Sequence, residues 1–270
     1  LDIFIKKIKK QHNTLTISII TITYNAEQFL EKTILSVLHQ SNHDFEYWII
    51  DGNSKDRTKQ IITEFSQRIQ SGEFPGVDGN QFHWISEPDR GLYDAMNKGI
   101  IKATGDFVWF MNAGDQIYDT ETLQKVQDLL EIEPECDFIY GQSIMIDEDG
   151  KELGERHKIA PSVLQSKHFL KGLIVCHQSV IVRRDIAPKY NLHYSIASDY
   201  DWMIRTYKNA NCRGYIDQYL SRFLIAGVSS QKRKLAWAER FFIMKSHFGI
   251  IRTLYAHFLI ILRYPFSKKY

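Results

Sequence analysis

The chain has 270 residues, 44% of them hydrophobic and 24% charged, the composition of an ordinary globular protein with room for one substantial domain. Its formal net charge of +2 hides an uneven spread: by counting Lys, Arg, Asp and Glu, residues 231–270 carry about +8, residues 1–10 about +3 and the body about −9. An acidic body excludes nucleic acid as a partner, which would need a basic face there, and suits a metal-using site with basic ends that approach an anionic surface. Cys136, Cys176 and Cys212 are odd in number, widely spaced and without a CxxC pair, so they read as reduced, cytoplasmic thiols rather than a disulfide framework or zinc site. The first ten residues are too short and too charged for a secretory segment, and no run of about 18 apolar residues exists to span a membrane.

Residues 1–14 read as an appendage. Leu15–Thr23 is rich in β-branched residues and predicts a first strand, followed by an amphipathic helix with Phe29, Leu30, Thr33, Ile34, Val37 and Leu38 on one face. Phe45–Ile50 predicts a second strand ending in the turn cluster Asp51–Asp56. A helix marked by Ile61, Ile62, Phe65 and Ile69 leads through a Gly/Pro-rich loop to a third strand, Phe82–Ser86. Leu92, Ala95, Met96, Gly99, Ile100 and Ala103 then mark the buried face of a helix. Gly105 suits the left-handed position past that helix end. Phe107–Met111 is an unbroken apolar run, as expected of a strand covered on both faces.

Four strands alternating with helices predict an α/β fold, a mostly parallel sheet with helices on both faces. The strands exit into TYN, DGNSKD, EPDRG and NAGD, polar loops expected to line a nucleotide-sized crevice at the carboxyl edge of the sheet. The glycines match neither a dinucleotide fingerprint nor a phosphate-binding Walker loop.

Further on, Thr120–Ile132 reads as a helix, Phe138–Ile146 as a strand and Asp147–Gly150 as a hairpin turn, while 151–172 carries no assignable pattern. Ile174–Val182 reads as a strand containing His177, and Tyr215–Phe223 as another. The segment 194–207 becomes a helix for which Ser198 and Asp199 are N-cap candidates; 227–230 is a loop, and helices follow over 235–248 and 250–262.

Individually, the acids have two readings each. Asp115 is either a strand-tip ligand for Mg²⁺ or Mn²⁺ or, like Asp119, a cap for the next helix. Asp51 alone is a turn former. His177 alone is a core histidine, and Arg90, Lys98 and Arg205 are either phosphate contacts or solvated charges.

Together, TITYNAEQFLEKTILSVLHQ, WIIDGNSKDRT, SEPDRGLYDAMNKGIIKATGDFVWFMNAGD, CHQSVIV and ASDYDWMIR resemble the family-2 glycosyltransferases of the GT-A fold, in particular the bacterial exopolysaccharide and colanic-acid-type branch, over about residues 16–230. The resemblance implies a catalytic domain over 15–230, with a nucleotide-sugar half (15–118) and an acceptor half (119–230), followed by basic amphipathic helices over 231–270. It implies a nucleoside-diphosphate sugar donor, a divalent metal (Mn²⁺ or Mg²⁺) and inversion at the anomeric carbon. Thr23, Tyr24 and Asn25 match the loop against the base, and Asp51 matches the acid that receives it, typically uracil. Asn53, Ser54 and Asp56 shape that loop. Asp89, Gly91 and Asn97 match the segment beside the ribose and diphosphate. Asn112–Asp115 takes the place of the acidic metal motif; because Asn112 and Gly114 replace the usual pattern, Asp115 is its one carboxylate.

Asp199 matches the catalytic base, with Ser198 in place of the preceding Glu and Asp201 as rival. His177 and Gln178 match a motif of the family that lies on the acceptor side or the phosphate side. The expected acceptor, by the same resemblance, is a saccharide in lipid-linked form at the cytoplasmic face of the membrane, with peripheral membrane contact through 250–270. Two alternatives stay open: a nucleotidyltransferase, which would need a Gly-rich basic loop that TYNAEQ lacks, and a non-catalytic nucleotide-sugar-binding subunit.

Overall fold

The computed structural model describes residues 15–225 and 233–263. The expected appendage at 1–14 and loop at 227–230 lie outside the described residues.

The chain runs β1 (Ile17–Thr23), α1 (Leu30–Leu38), β2 (Phe45–Asp51), α2 (Thr58–Gln70), β3 (Phe82–Ser86), α3 (Leu92–Lys102), β4 (Phe107–Phe110), β5 (Gln116–Ile117) and α4 (Thr122–Ile132). It continues as β6 (Phe138–Ile146), β7 (Glu152–Glu155), β8 (Val180–Arg183), α5 (Ser198–Asn209), β9 (Arg213–Leu224), α6 (Arg233–Phe248) and α7 (Ile250–Arg263). The strands form one sheet in the order β3-β2-β1-β4-β8-β6-β9-β5, with β7 paired to β6. β3, β2, β1 and β4 are mutually parallel, so their exit loops share one edge, as expected. β8 is antiparallel to β4, which brings the residues just before β8 to that same edge.

The alternation of β1 explains why its run is unbroken. Ile17 and Ile19 face a core shared with α1, α2 and α4, while Ile20 and Ile22 face a second core shared with α3 and α5. Gly99 lets α3 lie close on β1, since a Cβ there would come within 2.5 Å of Ile20 Cγ2.

Several expectations are corrected. Gly105 is not left-handed; it is required for space, because a Cβ would sit 2.7 Å from both Ser18 Oγ and the Thr16 carbonyl oxygen. The buried Glu46 carboxylate takes the Gly105 N–H, the Thr104 N–H and two hydroxyls, and that fixes the turn. The strand expected over Ile174–Val182 is only Val180–Arg183, preceded by a 3-10 turn, His177–Ser179, closed by Ser179 N–H to Cys176 O at 3.0 Å. Within 151–172, β7 completes the expected hairpin with β6, and Ser166–Lys171 forms a 3-10 turn.

The cap of α5 also differs. Ala197 is the N-cap, and neither Ser198 nor Asp199 caps the helix. Glu239 on α6 does so from outside, accepting the N–H groups of Ser195, Ile196 and Ala197 at 2.8 to 2.9 Å. A carboxylate at a helix N-terminus satisfies orphan donors and complements the helix dipole. At α4, Asp119 takes the first-turn role its sequence position suggests, binding the Thr122 hydroxyl and the Glu121 N–H.

Candidate active site

The first two exit loops are stitched together by their own polar residues. Asn25 donates its N–H to Ser54 Oγ at 2.8 Å and accepts the Lys55 N–H at 2.8 Å. The left-handed backbone at Asn25 (φ 47°) and Asn53 (φ 63°) suits asparagine. Asp51 is fully buried at the end of β2. Its carboxylate accepts the Ser54 N–H and hydroxyl and the Ser86 hydroxyl, so it ties the tips of β2 and β3. Asp56 accepts the Glu27 N–H and anchors the first loop from below.

The third loop closes onto the second. A Cβ on Gly52 would meet Asp89 Oδ2 at 2.5 Å and the Tyr24 ring at 3.2 Å, so these two side chains pack over the Gly52 backbone. Asp89 also accepts the Gly91 N–H at 2.8 Å, and Gly91 enters α3 with φ 116°. Tyr24 remains exposed. Thr23, Tyr24, Asp51, Gly52 and Asp89 therefore lie together at the carboxyl edge of the sheet, where an exposed aromatic ring sits beside an acidic side chain.

Asn97 does not join it. Its carboxamide is consumed by the Tyr190 backbone, donating to the carbonyl at 3.0 Å and accepting the N–H at 2.6 Å. This clamps the loop before α5 to α3. The cations considered for phosphate are likewise engaged: Arg90 with Asp94, Lys98 with Glu87 and Arg205 with Asp201.

At the tip of β4, Asp115 is buried, and each carboxylate oxygen accepts one hydrogen bond, from Leu224 N–H and from Gln178 Nε2, both at 2.9 Å. Burial pushes its carboxyl up to about 7, against the lowering effect of those two bonds. Gly114 (φ 104°) lies so close to Leu224 that a Cβ would come within 2.6 Å of Cδ2. Asn112 Oδ1 and Thr23 Oγ1, at the ends of β4 and β1, are buried without a partner. An unpartnered amide oxygen three residues from a buried carboxylate is a hard-oxygen donor set, which fits a Mg²⁺- or Mn²⁺-type ion. Among the described residues the other acid–thiol cluster, Glu133, Cys136 and Cys212, lies before β6 and β9, at the opposite edge.

Gln178 thus contacts Asp115 directly, on the side expected for the metal and phosphate. His177 is a core residue. It is buried among Phe110, Tyr190 and Trp202, its Nε2 lies 2.6 Å from Tyr190 Oη, and burial pushes its imidazole down to about 4. The same aromatic cluster leads to the second carboxylate: Tyr190 stacks on Tyr93, whose hydroxyl lies 3.4 Å from Asp199 Oδ1.

Asp199 and Asp201 are separated by their partners. Asp199 keeps part of its surface open although protein surrounds it closely, and it accepts the Tyr200 N–H at 2.8 Å. Burial raises its carboxyl, partly offset by the charge of Arg240 and by hydrogen bonds from Tyr200 and Tyr93. Asp201 is also raised by burial, but a hydrogen bond from His247 and the Arg205 guanidinium outweigh this and hold it below the usual carboxylate range. Asp201 is held by an ion pair to Arg205 within α5 and by a hydrogen bond from His247 on α6.

A sheet of this topology, with its polar loops and buried carboxylates on one edge, defines a GT-A transferase fold, and comparison with known proteins agrees. The family model "Glycosyl transferase family 2" matches residues 18–191. A PGL/p-HBAD biosynthesis glycosyltransferase of Mycobacterium bovis is 31% identical over 196 residues, 71% of this chain and 70% of that protein. The putative teichuronic acid biosynthesis glycosyltransferase TuaG of Bacillus subtilis is 28% identical over 169 residues, 63% of this chain and 62% of its own. Among solved structures, S. aureus TarS 1–349 in complex with UDP-GlcNAc superposes with a TM-score of 0.66 at 19% identity, covering 90% of this chain and 73% of that one. A longer TarS chain is covered over 43% of its length. The mannosyltransferase PcManGT of Pyrobaculum calidifontis, in complex with GDP-Man and Mn²⁺, gives 0.59 at 13% identity, covering 98% of this chain and 81% of its own. The chain belongs to glycosyl transferase family 2.

Proposed function

We propose that this chain is an inverting glycosyltransferase that moves a sugar from a UDP-sugar to a saccharide acceptor in bacterial surface or exopolysaccharide synthesis. The observation that carries the reading is the pair Asp115 and Asp199. Both are enclosed carboxylates held above their ordinary pKa, joined through Gln178, His177, Tyr190 and Tyr93. Buried carboxylates of raised pKa concentrate at sites of chemistry, which supports this reading.

In this reading Tyr24 and Asp89 border the nucleotide, and Asp51 with Ser54 gives their loop its shape. Asp115 and Asn112 would hold the Mg²⁺ or Mn²⁺ ion, which supplies charge neutralisation for the leaving diphosphate. Asp199 takes the proton of the acceptor hydroxyl as that oxygen bonds to the anomeric carbon on the face opposite the diphosphate. A carboxylate of raised pKa is a stronger base than an exposed one, and the Tyr200 N–H orients it. UDP-GlcNAc in TarS and GDP-Man with Mn²⁺ in PcManGT are consistent with such a donor and metal. Thermal-shift titration with UDP-, GDP- and dTDP-sugars in the presence of Mn²⁺ tests the donor: stabilisation by the uridine series is expected. A guanosine preference overturns the uridine assignment, and no response to any sugar nucleotide favours a protein without this activity.

The reading of a lipid-linked acceptor is supported by the surfaces of α6 and α7. No described helix is long and apolar enough to cross a membrane. Yet α7 buries Thr253 and Ala256 and exposes Ile251 (81%), Leu254, Tyr255, Phe258 (57%) and Leu262, and α6 adds exposed Trp237 and Phe242. Exposed Lys234, Lys245 and Arg252 accompany this apolar face, the pattern of a helix lying on an anionic bilayer at its cytoplasmic side. Sedimentation with phosphatidylcholine vesicles containing phosphatidylglycerol should carry the protein down, and the double change Ile251→Glu, Phe258→Glu should lower the bound fraction about tenfold or more. Equal sedimentation of the double variant would dismiss this face as the anchor.

A further inference from the structure

Three cations gather around the 169–173 turn and the start of α5, and the mechanism above uses none of them. Lys158 Nζ rests on the Gly172 backbone, 2.8 Å from where a Cβ would stand, and Gly172 itself has φ 90°. Arg156 donates to the Leu173 carbonyl at 3.3 Å, from the other side of the same turn. That turn is fastened to α5 by the Tyr200 hydroxyl, which donates to Phe169 O at 2.5 Å. Arg240 approaches from α6, one residue after the Glu239 carboxylate that grips the start of α5.

These charges are under-compensated. Arg240 Nε is buried with no partner. Among the described residues the Lys158 amine makes neither a hydrogen bond nor an ion pair, and burial followed by the charges of Arg240 and Arg156 pushes it down to about 8. Asp199 is the carboxylate that feels Arg240, whereas burial, Leu224 and Gln178 account for Asp115 without any cation. The group therefore meets the site at Asp199 through Arg240, while the charge of Arg156 also reaches the buried Cys176 thiol near Asp115. None of its members comes from the loops at 23–25, 51–54 or 89–91.

We propose that Arg156, Lys158 and Arg240 form an oxyanion subsite that takes a phosphate group carried by the acceptor and so delivers the neighbouring hydroxyl to Asp199. Three donors arriving from the 156–158 segment and from α6 match a tetrahedral dianion better than a planar carboxylate, and charge-assisted bonds are strongest where water is excluded. The proposal rests on Asp199 as the base.

Inorganic phosphate is the probe. It is titrated calorimetrically into the full chain, both alone and with UDP and Mn²⁺ at saturation. Phosphate is expected to bind in both cases. Lys158→Ala and Arg156→Gln should each weaken it about tenfold or more, while Lys158→Arg keeps it and UDP affinity stays within about twofold. Arg156, only partly buried, provides the second variant should Lys158→Ala unfold. Displacement of phosphate by UDP, or an equal loss of UDP affinity in the variants, would reassign the cations to the donor diphosphate and overturn the proposal, as would unchanged phosphate affinity. Failure of UDP to bind the unmodified chain would count against the donor reading alone, since the titration without nucleotide still reports on the subsite.

Discussion

Asp199→Asn lowers kcat by about a thousandfold and leaves UDP affinity within about twofold, measured by initial rates and by calorimetry. The amide keeps the size of the carboxylate and still has an oxygen to accept the Tyr200 N–H at the start of α5, so the fold is retained. What it loses is the ability to accept a proton from the acceptor hydroxyl. The pH profile of the unmodified chain should agree in sign. The base must be ionised, so kcat/KM rises with pH through the Asp199 pKa, which burial places above the ordinary carboxylate range. Asp201→Asn is the informative contrast: it weakens the Arg205 contact within α5 and the His247 contact that ties α5 to α6, and is expected to lower thermal stability more than kcat. If Asp199→Asn retains near-normal turnover while Asp201→Asn abolishes it, the two assignments are reversed.

The parallel half of the fold was legible because its physics is local. β1, β2 and β4 are covered on both faces and show as unbroken apolar runs, and their tips show as clusters of turn residues. The convergence of Tyr24, Gly52 and Asp89 follows from that parallel order. Residues whose roles depend on distant partners were not legible. Gln178 reaches Asp115 only because β8 runs antiparallel to β4, and nothing within CHQSVIV reports that direction. His177 interrupts an apolar run in a way that reads equally as a strand or a site, until the cage of Phe110, Tyr190 and Trp202 is seen. Asn97 matches a donor-side position, yet Tyr190, 93 residues away, takes both ends of its amide. Glu239 caps α5 from α6, where a local search for caps finds only Ser198 and Asp199.

Asp115→Asn abolishes specific Mn²⁺ binding, and it also removes a pH dependence that can be read without any substrate. In the metal-free protein the Asp115 carboxyl is raised to about 7, above its ordinary 3.8. The folded state then holds a proton that the unfolded chain releases, so this group's stabilising contribution is full below about pH 4 and is lost as pH climbs through about 7. Above that pH the fold carries a buried carboxylate whose charge is met by two neutral donors, Gln178 and Leu224. A divalent ion binds the ionised form, so proton and metal compete. Apparent Mn²⁺ affinity should rise about tenfold per pH unit up to about pH 7 and level off above it. The Tm increase given by Mn²⁺ should be larger at about pH 8 than at about pH 6. In Asp115→Asn both dependences flatten. The neutral amide also turns an NH₂ group toward Gln178 or Leu224, so a moderate loss of stability of about 1–3 kcal/mol is expected at low pH, where the wild-type carboxyl is protonated. Unchanged Mn²⁺ affinity and an unchanged pH profile in the variant would move the ion away from Asp115 and, with it, the neutralisation of the leaving diphosphate.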